Sequence, residues 1–114
     1  MITIEGVNPQ MIANNLKPYQ PTHPGEVLKD ELEYRGISQR GLAKKLGISY
    51  STLNEVLNGK RALNIELAMM MEAALGIEAA PLMAMQNEYD MLMKERNESF
   101  MEKLKNIRRI AAVL

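Results

Sequence analysis

Side chains that can move a proton, hold a metal or act as an activated nucleophile are scarce in this sequence of 114 residues. The one histidine, His23, stands beside Pro24 at what reads as a helix entrance, and no HExxH pattern, no phosphate-binding GxxxxGK[ST] loop and no nucleophile with a base in reach by spacing is present. Cysteine is absent, which removes disulfides and thiolate metal sites. The acid pairs Asp30 with Glu31 and Glu88 with Asp90 read as solvated helix faces. The inventory therefore predicts no enzyme, no metal and no cofactor. What the chain does offer is hydrogen-bonding chemistry concentrated in one stretch. Ser49, Tyr50, Ser51, Thr52, Asn54, Glu55 and Asn58 lie within ten residues and are followed at once by Lys60 and Arg61.

Charge agrees with that concentration. The net charge is zero, yet its distribution is uneven. From Ile37 to Arg61 the charged residues are Arg40, Lys44, Lys45, Lys60 and Arg61 against Glu55 alone, and from Ala62 to Met93 they are all acidic. Positive charge returns from Lys94 onward. A phosphate responds to the local field and not to the total, so the basic block is a candidate nucleic-acid surface. Ordinary solvated helix faces would give a similar pattern, and charge alone does not separate the two.

The elements that must position these residues are helices. With 46% hydrophobic residues but 4% aromatic ones, the composition suits small helices packed through Leu, Ile, Ala and Met. Residues 1–22 read as an arm, with a short helix opening at Asn8-Pro9 and an extended stretch from Lys17 to Pro21. A first domain helix runs from Pro24 to a left-handed cap at Gly36, with Val27, Leu28 and Leu32 at the helical period. Ser38 caps a second helix over Gln39 to Leu46, and Gly47 stops it. Ser49 caps a third running to about Asn58. Asn64 caps a fourth, with Ile65, Leu67, Ala68, Met71 and Leu75 on its period and Gly76 as its stop. A fifth starts near Pro81 and is expected to run with little interruption to the C-terminus. The fold class is thus all-α, five helices plus an arm and a long C-terminal helix, with domain limits at 23–92 and an extension over 93–114. No apolar run approaches the length of a membrane span, which predicts a soluble, cytoplasmic protein with no membrane partner.

The second and third helices, about Ser38 to Asn58, carry the functional expectation. Ala43 is small where the two helices must cross closely, Gly47 supplies a positive φ in the turn, and Leu42, Leu46, Ile48, Leu53 and Val56 lock the pair. With Leu53, Val56 and Leu57 turned inward, the third helix exposes Tyr50, Ser51, Asn54, Glu55 and Asn58. Its first turn also points unpaired N–H groups at any anion lying there. Such a helix fits a major groove about 12 Å wide. Ser49 as a mere cap and Asn58-Gly59 as a mere turn are compatible with the same residues.

The run from Ser38 to Gly76, SQRGLAKKLGISYSTLNEVLNGKRALNIELAMMMEAALG, resembles the lambda-repressor-like helix-turn-helix domain. His23-Pro24-Gly25-Glu26, Asn58-Gly59-Lys60-Arg61, Met85-Gln86 and Tyr89-Asp90 extend the resemblance to the HigA-type antitoxins, also called virulence-associated protein I, over about residues 22–92. Leu82 stands where that branch usually has Trp. The resemblance implies a homodimer on an inverted-repeat double-stranded operator and a cognate HigB-type toxin that cleaves mRNA. It also assigns roles. Gln39 bonds a phosphate and buttresses the third helix; Tyr50, Ser51 and either Asn54 or Glu55 face base edges; Ser49, Thr52, Asn58, Lys60 and Arg61 hold the DNA backbone. Arg40 joins this set from the first turn of the second helix. A stand-alone repressor and a non-DNA-binding adaptor are the alternatives.

Two further features call for a partner. Met69, Met70 and Met71 cannot all face inward, so Met71 is expected in the core and a neighbour at an interface. Beyond Leu82, apolar residues recur at Met85, Tyr89 and Leu92, then at Phe100, Leu104, Ile107, Ala111 and Leu114, a stripe that something must cover.

Overall fold

The computed structural model describes residues 21–113, so the short helix and extended stretch expected in the arm lie outside the described residues. Six α-helices follow in order: α1 (Pro24–Arg35), α2 (Gln39–Leu46), α3 (Tyr50–Leu57), α4 (Ile65–Leu75), α5 (Ala79–Glu95) and α6 (Glu98–Ala111). The chain divides into two compact units, Thr22–Met91 and a second that includes Leu92–Leu114.

In the first unit each helix boundary has a local cause. Ser38, Ser49 and Asn64 accept from the backbone N–H groups of Gly41, Thr52 and Leu67 and so cap α2, α3 and α4. His23 does the same for α1, its Nδ1 accepting from Gly25 N at 2.9 Å, with Pro24 as the first helical residue. Gly47 ends α2 at φ 75°, a left-handed conformation that a side chain disfavours.

The core of this unit is built from Leu28 and Leu32 of α1, Leu42 and Ala43 of α2, Leu53, Val56 and Leu57 of α3, Leu63, and Leu67, Ala68 and Met71 of α4, with Leu82 of α5. Helix α3 packs on both α1 and α2. The approach of α1 is unusually close, because a Cβ on Gly25 would stand 1.8 Å from the Val56 carbonyl oxygen. Ala43, 2% exposed, permits the α2–α3 crossing. Leu82 is buried, so the smaller side chain at this position still enters the core. Two apolar residues assigned by periodicity face solvent instead: Ile65 is 62% and Val27 37% exposed. Each lies in the first turn of its helix, where one face is not yet enclosed by neighbours. Met71 is fully buried while Met69 is exposed.

The fifth helix expected to start near Pro81 and run with little interruption is corrected at its C-terminal end. It begins at Ala79, two residues before Pro81, which is tolerated because first-turn residues have no intrahelical acceptor for their N–H groups. It ends at Glu95, where Arg96 N and Asn97 N turn back to Met93 O and Lys94 O, and the Asn97 side chain accepts from Phe100 N at 2.9 Å to start α6. An Asn competes well for this capping role and poorly for a helix interior. Within the second unit α6 has no buried residue, and Ile107 and Ile110 lie exposed among its charged side chains.

Candidate nucleic-acid interface

The side chains singled out around α3 form a connected surface. At the start of α3, Ser49 Oγ accepts from Thr52 N at 3.1 Å and donates to Thr52 Oγ1 at 2.8 Å, with Ser51 Oγ 3.4 Å away. Ser51 is exposed and its hydroxyl projects from the first turn. The other polar residues of α3 are held by neighbours. Asn54 donates to Gln39 Oε1 at 3.0 Å, which joins the middle of α3 to the first residue of α2. Asn58 donates to Asn54 O at 2.9 Å and accepts from Lys29 Nζ of α1 at 3.0 Å. The Arg40 guanidinium lies over the Tyr50 ring, 4.0 Å from its centroid. Tyr50 is half-buried, packed against the core as well as under Arg40.

Glu55 and Arg61 were expected to have separate duties, and the structure pairs them with each other. Arg61 Nε and Nη2 both reach Glu55 Oε1, at 2.8 and 2.7 Å. The acid in the basic block is thereby neutralised, and Lys60 beside it is exposed. The Glu55–Arg61 pair is itself well exposed, so its contribution to stability is small, roughly 0–1 kcal/mol. Its effect is on the field along the surface.

His23 stands behind this surface. It is 2% exposed, packs edge-on against Tyr89 at 4.9 Å between centroids, and lies against Gly59 in the loop that carries Lys60 and Arg61. Burial pushes its pKa below the ordinary value; Asp90, Glu26 and a hydrogen bond to the Arg61 backbone oppose this without overcoming it. The side chain is a neutral strut between α1, α5 and the loop after α3, as its place beside Pro24 suggests.

Gln86 was not singled out individually by sequence reasoning. It is 4% exposed, its Oε1 accepts from Leu63 N at 2.9 Å, and its Nε2 donates to Asp90 at 2.9 Å, which ties the segment before α4 to α5. The available signal was a polar residue four positions after Leu82 on the buried face of a helix. Among the described residues no cluster of His, Cys, Asp or Glu could hold a metal, and no helix is long and apolar enough to cross a membrane.

Two short helices joined by a glycine turn and packed on one another, with the second presenting a polar face, define a helix-turn-helix unit. The chain belongs to the helix-turn-helix family, whose model matches residues 28–82. It is 35% identical over 77 residues to virulence-associated protein I of Dichelobacter nodosus, covering 67% of this chain and 71% of that protein. Among solved structures it is similar to an addiction module antidote protein of a HigA family from Coxiella burnetii, with a TM-score of 0.66 at 28% identity over 77% of this chain and 95% of that one. It is also similar to the Pseudomonas aeruginosa antitoxin HigA solved with the higBA promoter, with a TM-score of 0.62 at 29% identity over 78% and 92% of the two chains.

Proposed function

We propose that this chain is the antitoxin of a HigBA-type toxin–antitoxin pair, a repressor that dimerises on an inverted-repeat operator of its own operon and neutralises an mRNA-cleaving toxin. The observation that carries the operator reading is the first turn of α3. Ser51 is exposed there with its hydroxyl 3.4 Å from Ser49 Oγ, Tyr50 stands beside Arg40, and α1 and α2 hold the helix behind them. Phosphate contacts fall to Gln39, Ser49, Thr52, Asn58, Lys60 and Arg61, and base contacts to Tyr50, Ser51 and either Asn54 or Glu55. Asn54 is already tied to Gln39, which suits it to orienting α3 as well as reading a base. The DNA-binding domain is assigned to residues 23–92, the arm to 1–22 and the extension to 93–114. The exposed apolar residues of α6 are assigned to self-association or to the toxin. The antidote and antitoxin relatives support the toxin, and so does the solved HigA–promoter pair for the operator.

Co-expression with the product of the neighbouring reading frame, followed by titration of the purified species on DNA upstream of the operon, tests both halves. The expected result is a stable complex and operator binding by the antitoxin alone. Operator binding without co-purification would instead identify a stand-alone repressor.

A further inference from the structure

The Arg40–Tyr50 contact places an exposed guanidinium on a half-buried ring, and it changes what Tyr50 has to offer. Arg40 lies in the first turn of α2 and Tyr50 opens α3, so the contact bridges the turn between them. The Asn54 amide that bonds Gln39 lies 3.5 Å from the Tyr50 hydroxyl, at the outer limit of a hydrogen bond, so the ring is held by packing and not by its hydroxyl. A ring face covered by a guanidinium is closed to a thymine methyl, and what stands outward at that point is the cation. Arg35 and Arg61 are each tied to a carboxylate, whereas Arg40 is paired with none among the described residues. Stacking fixes the plane of a guanidinium while leaving its N–H edge available for two acceptors in that plane.

We propose that Arg40 is a specificity-determining residue of this interface, that its fork reads the O6 and N7 atoms of a guanine, and that Tyr50 is the residue that positions it. The inference rests on the operator-binding reading above. This replaces the direct base contact assigned above to Tyr50: its ring carries Arg40 to the base, and its hydroxyl is not required.

The full-length protein first selects duplexes from a randomised pool. Wild type, Arg40→Ala, Arg40→Lys, Tyr50→Phe, Tyr50→Leu and the Arg40→Ala/Tyr50→Leu double variant are then titrated against the selected duplex and a scrambled one. Wild type is also titrated against the selected duplex carrying 7-deazaguanine. Arg40→Ala should lose about 5- to 100-fold on the selected duplex and far less on the scrambled one, and Arg40→Lys should not restore it. Tyr50→Phe should bind as wild type, and Tyr50→Leu should lose about 2- to 10-fold. The double variant should bind no worse than Arg40→Ala alone. Loss of N7 in one guanine of each half-site should reproduce much of the Arg40→Ala effect.

Without DNA, the ring-current shift on the Arg40 side-chain protons should survive Tyr50→Phe and vanish in Tyr50→Leu at unchanged helicity. Absence of that shift in wild type overturns the stack. Equal losses by Arg40→Ala on both duplexes would make Arg40 a phosphate contact and overturn its role in specificity. Tyr50→Phe as damaging as Tyr50→Leu, or strict additivity in the double variant, would overturn the positioning role. Should wild type select no sequence, the operator reading fails and this inference falls with it. Selection by wild type with Arg40→Ala indistinguishable from it defeats this inference alone.

Discussion

At the scale of single residues, the charged side chains beside α3 do not act independently. Lys60 is free to meet a phosphate, but Arg61 must leave or share Glu55 to do so. Lys60→Ala should therefore lower the log–log salt slope of binding by about 0.9 per protomer on any duplex. Arg61→Ala should weaken binding more than Lys60→Ala, because it also unmasks the Glu55 carboxylate beside the DNA. Glu55→Gln should strengthen binding to random DNA. Titrations across a salt series check all three, and a Glu55→Gln variant that binds more weakly on random DNA would contradict the masking role. His23 gives a pH prediction. Folding holds its pKa below the ordinary 6.5, so the unfolded chain takes up the proton more readily than the folded one. The stabilisation is complete above that value and is lost as pH falls from it through the folded-state value. Protonation would also remove the Nδ1 lone pair that caps α1. The thermal midpoint of wild type should thus drop on acidification from about pH 7 to about pH 5, and His23→Asn, which keeps a capping oxygen, should flatten that component.

At the scale of the elements, caps and turn glycines made most of the helix-turn-helix unit legible. Ser38, Ser49 and Asn64 cap the helices that their types and spacing predict, and Gly36, Gly47 and Gly76 each stop one with a left-handed residue. The break before α6 was missed because the apolar stripe, interrupted by Arg96 and Ser99, resumes at Phe100 with the same spacing of three and four. Only the capping side chain of Asn97 distinguishes two helices from one. The connections within the site were illegible for a different reason. Arg40–Tyr50, Glu55–Arg61 and Gln39–Asn54 depend on the crossing of elements, which periodicity does not report. Gly25 belongs here as well, since its significance is the nearness of the Val56 carbonyl and not a backbone angle. Gly25→Ala should destabilise the protein by about 1–3 kcal/mol by forcing α1 away from α3, measurable by urea unfolding. An unchanged midpoint would mean that α1 can shift without disturbing the core.

At the scale of the whole molecule, a compact helix-turn-helix unit is followed in the chain by a C-terminal helix with exposed apolar residues. Because Thr22–Met91 form a compact unit, truncation after Met93 should leave a folded helical protein with weakened self-association or toxin binding. Sedimentation across concentration compares the two forms, and global unfolding of the truncated chain would place α6 in the core instead. The central claim is that the first turn of α3, with Arg40 lying on its Tyr50, reads base sequence. Competitive titration of wild type and the Tyr50→Ala/Ser51→Ala variant against a selected operator and a scrambled duplex tests it most directly. The predicted result is a loss of about 1–3 kcal/mol per half-site on the operator with little change on the scrambled duplex. Equal losses on both would contradict the claim and leave α3 as a helix that only positions the protein on DNA.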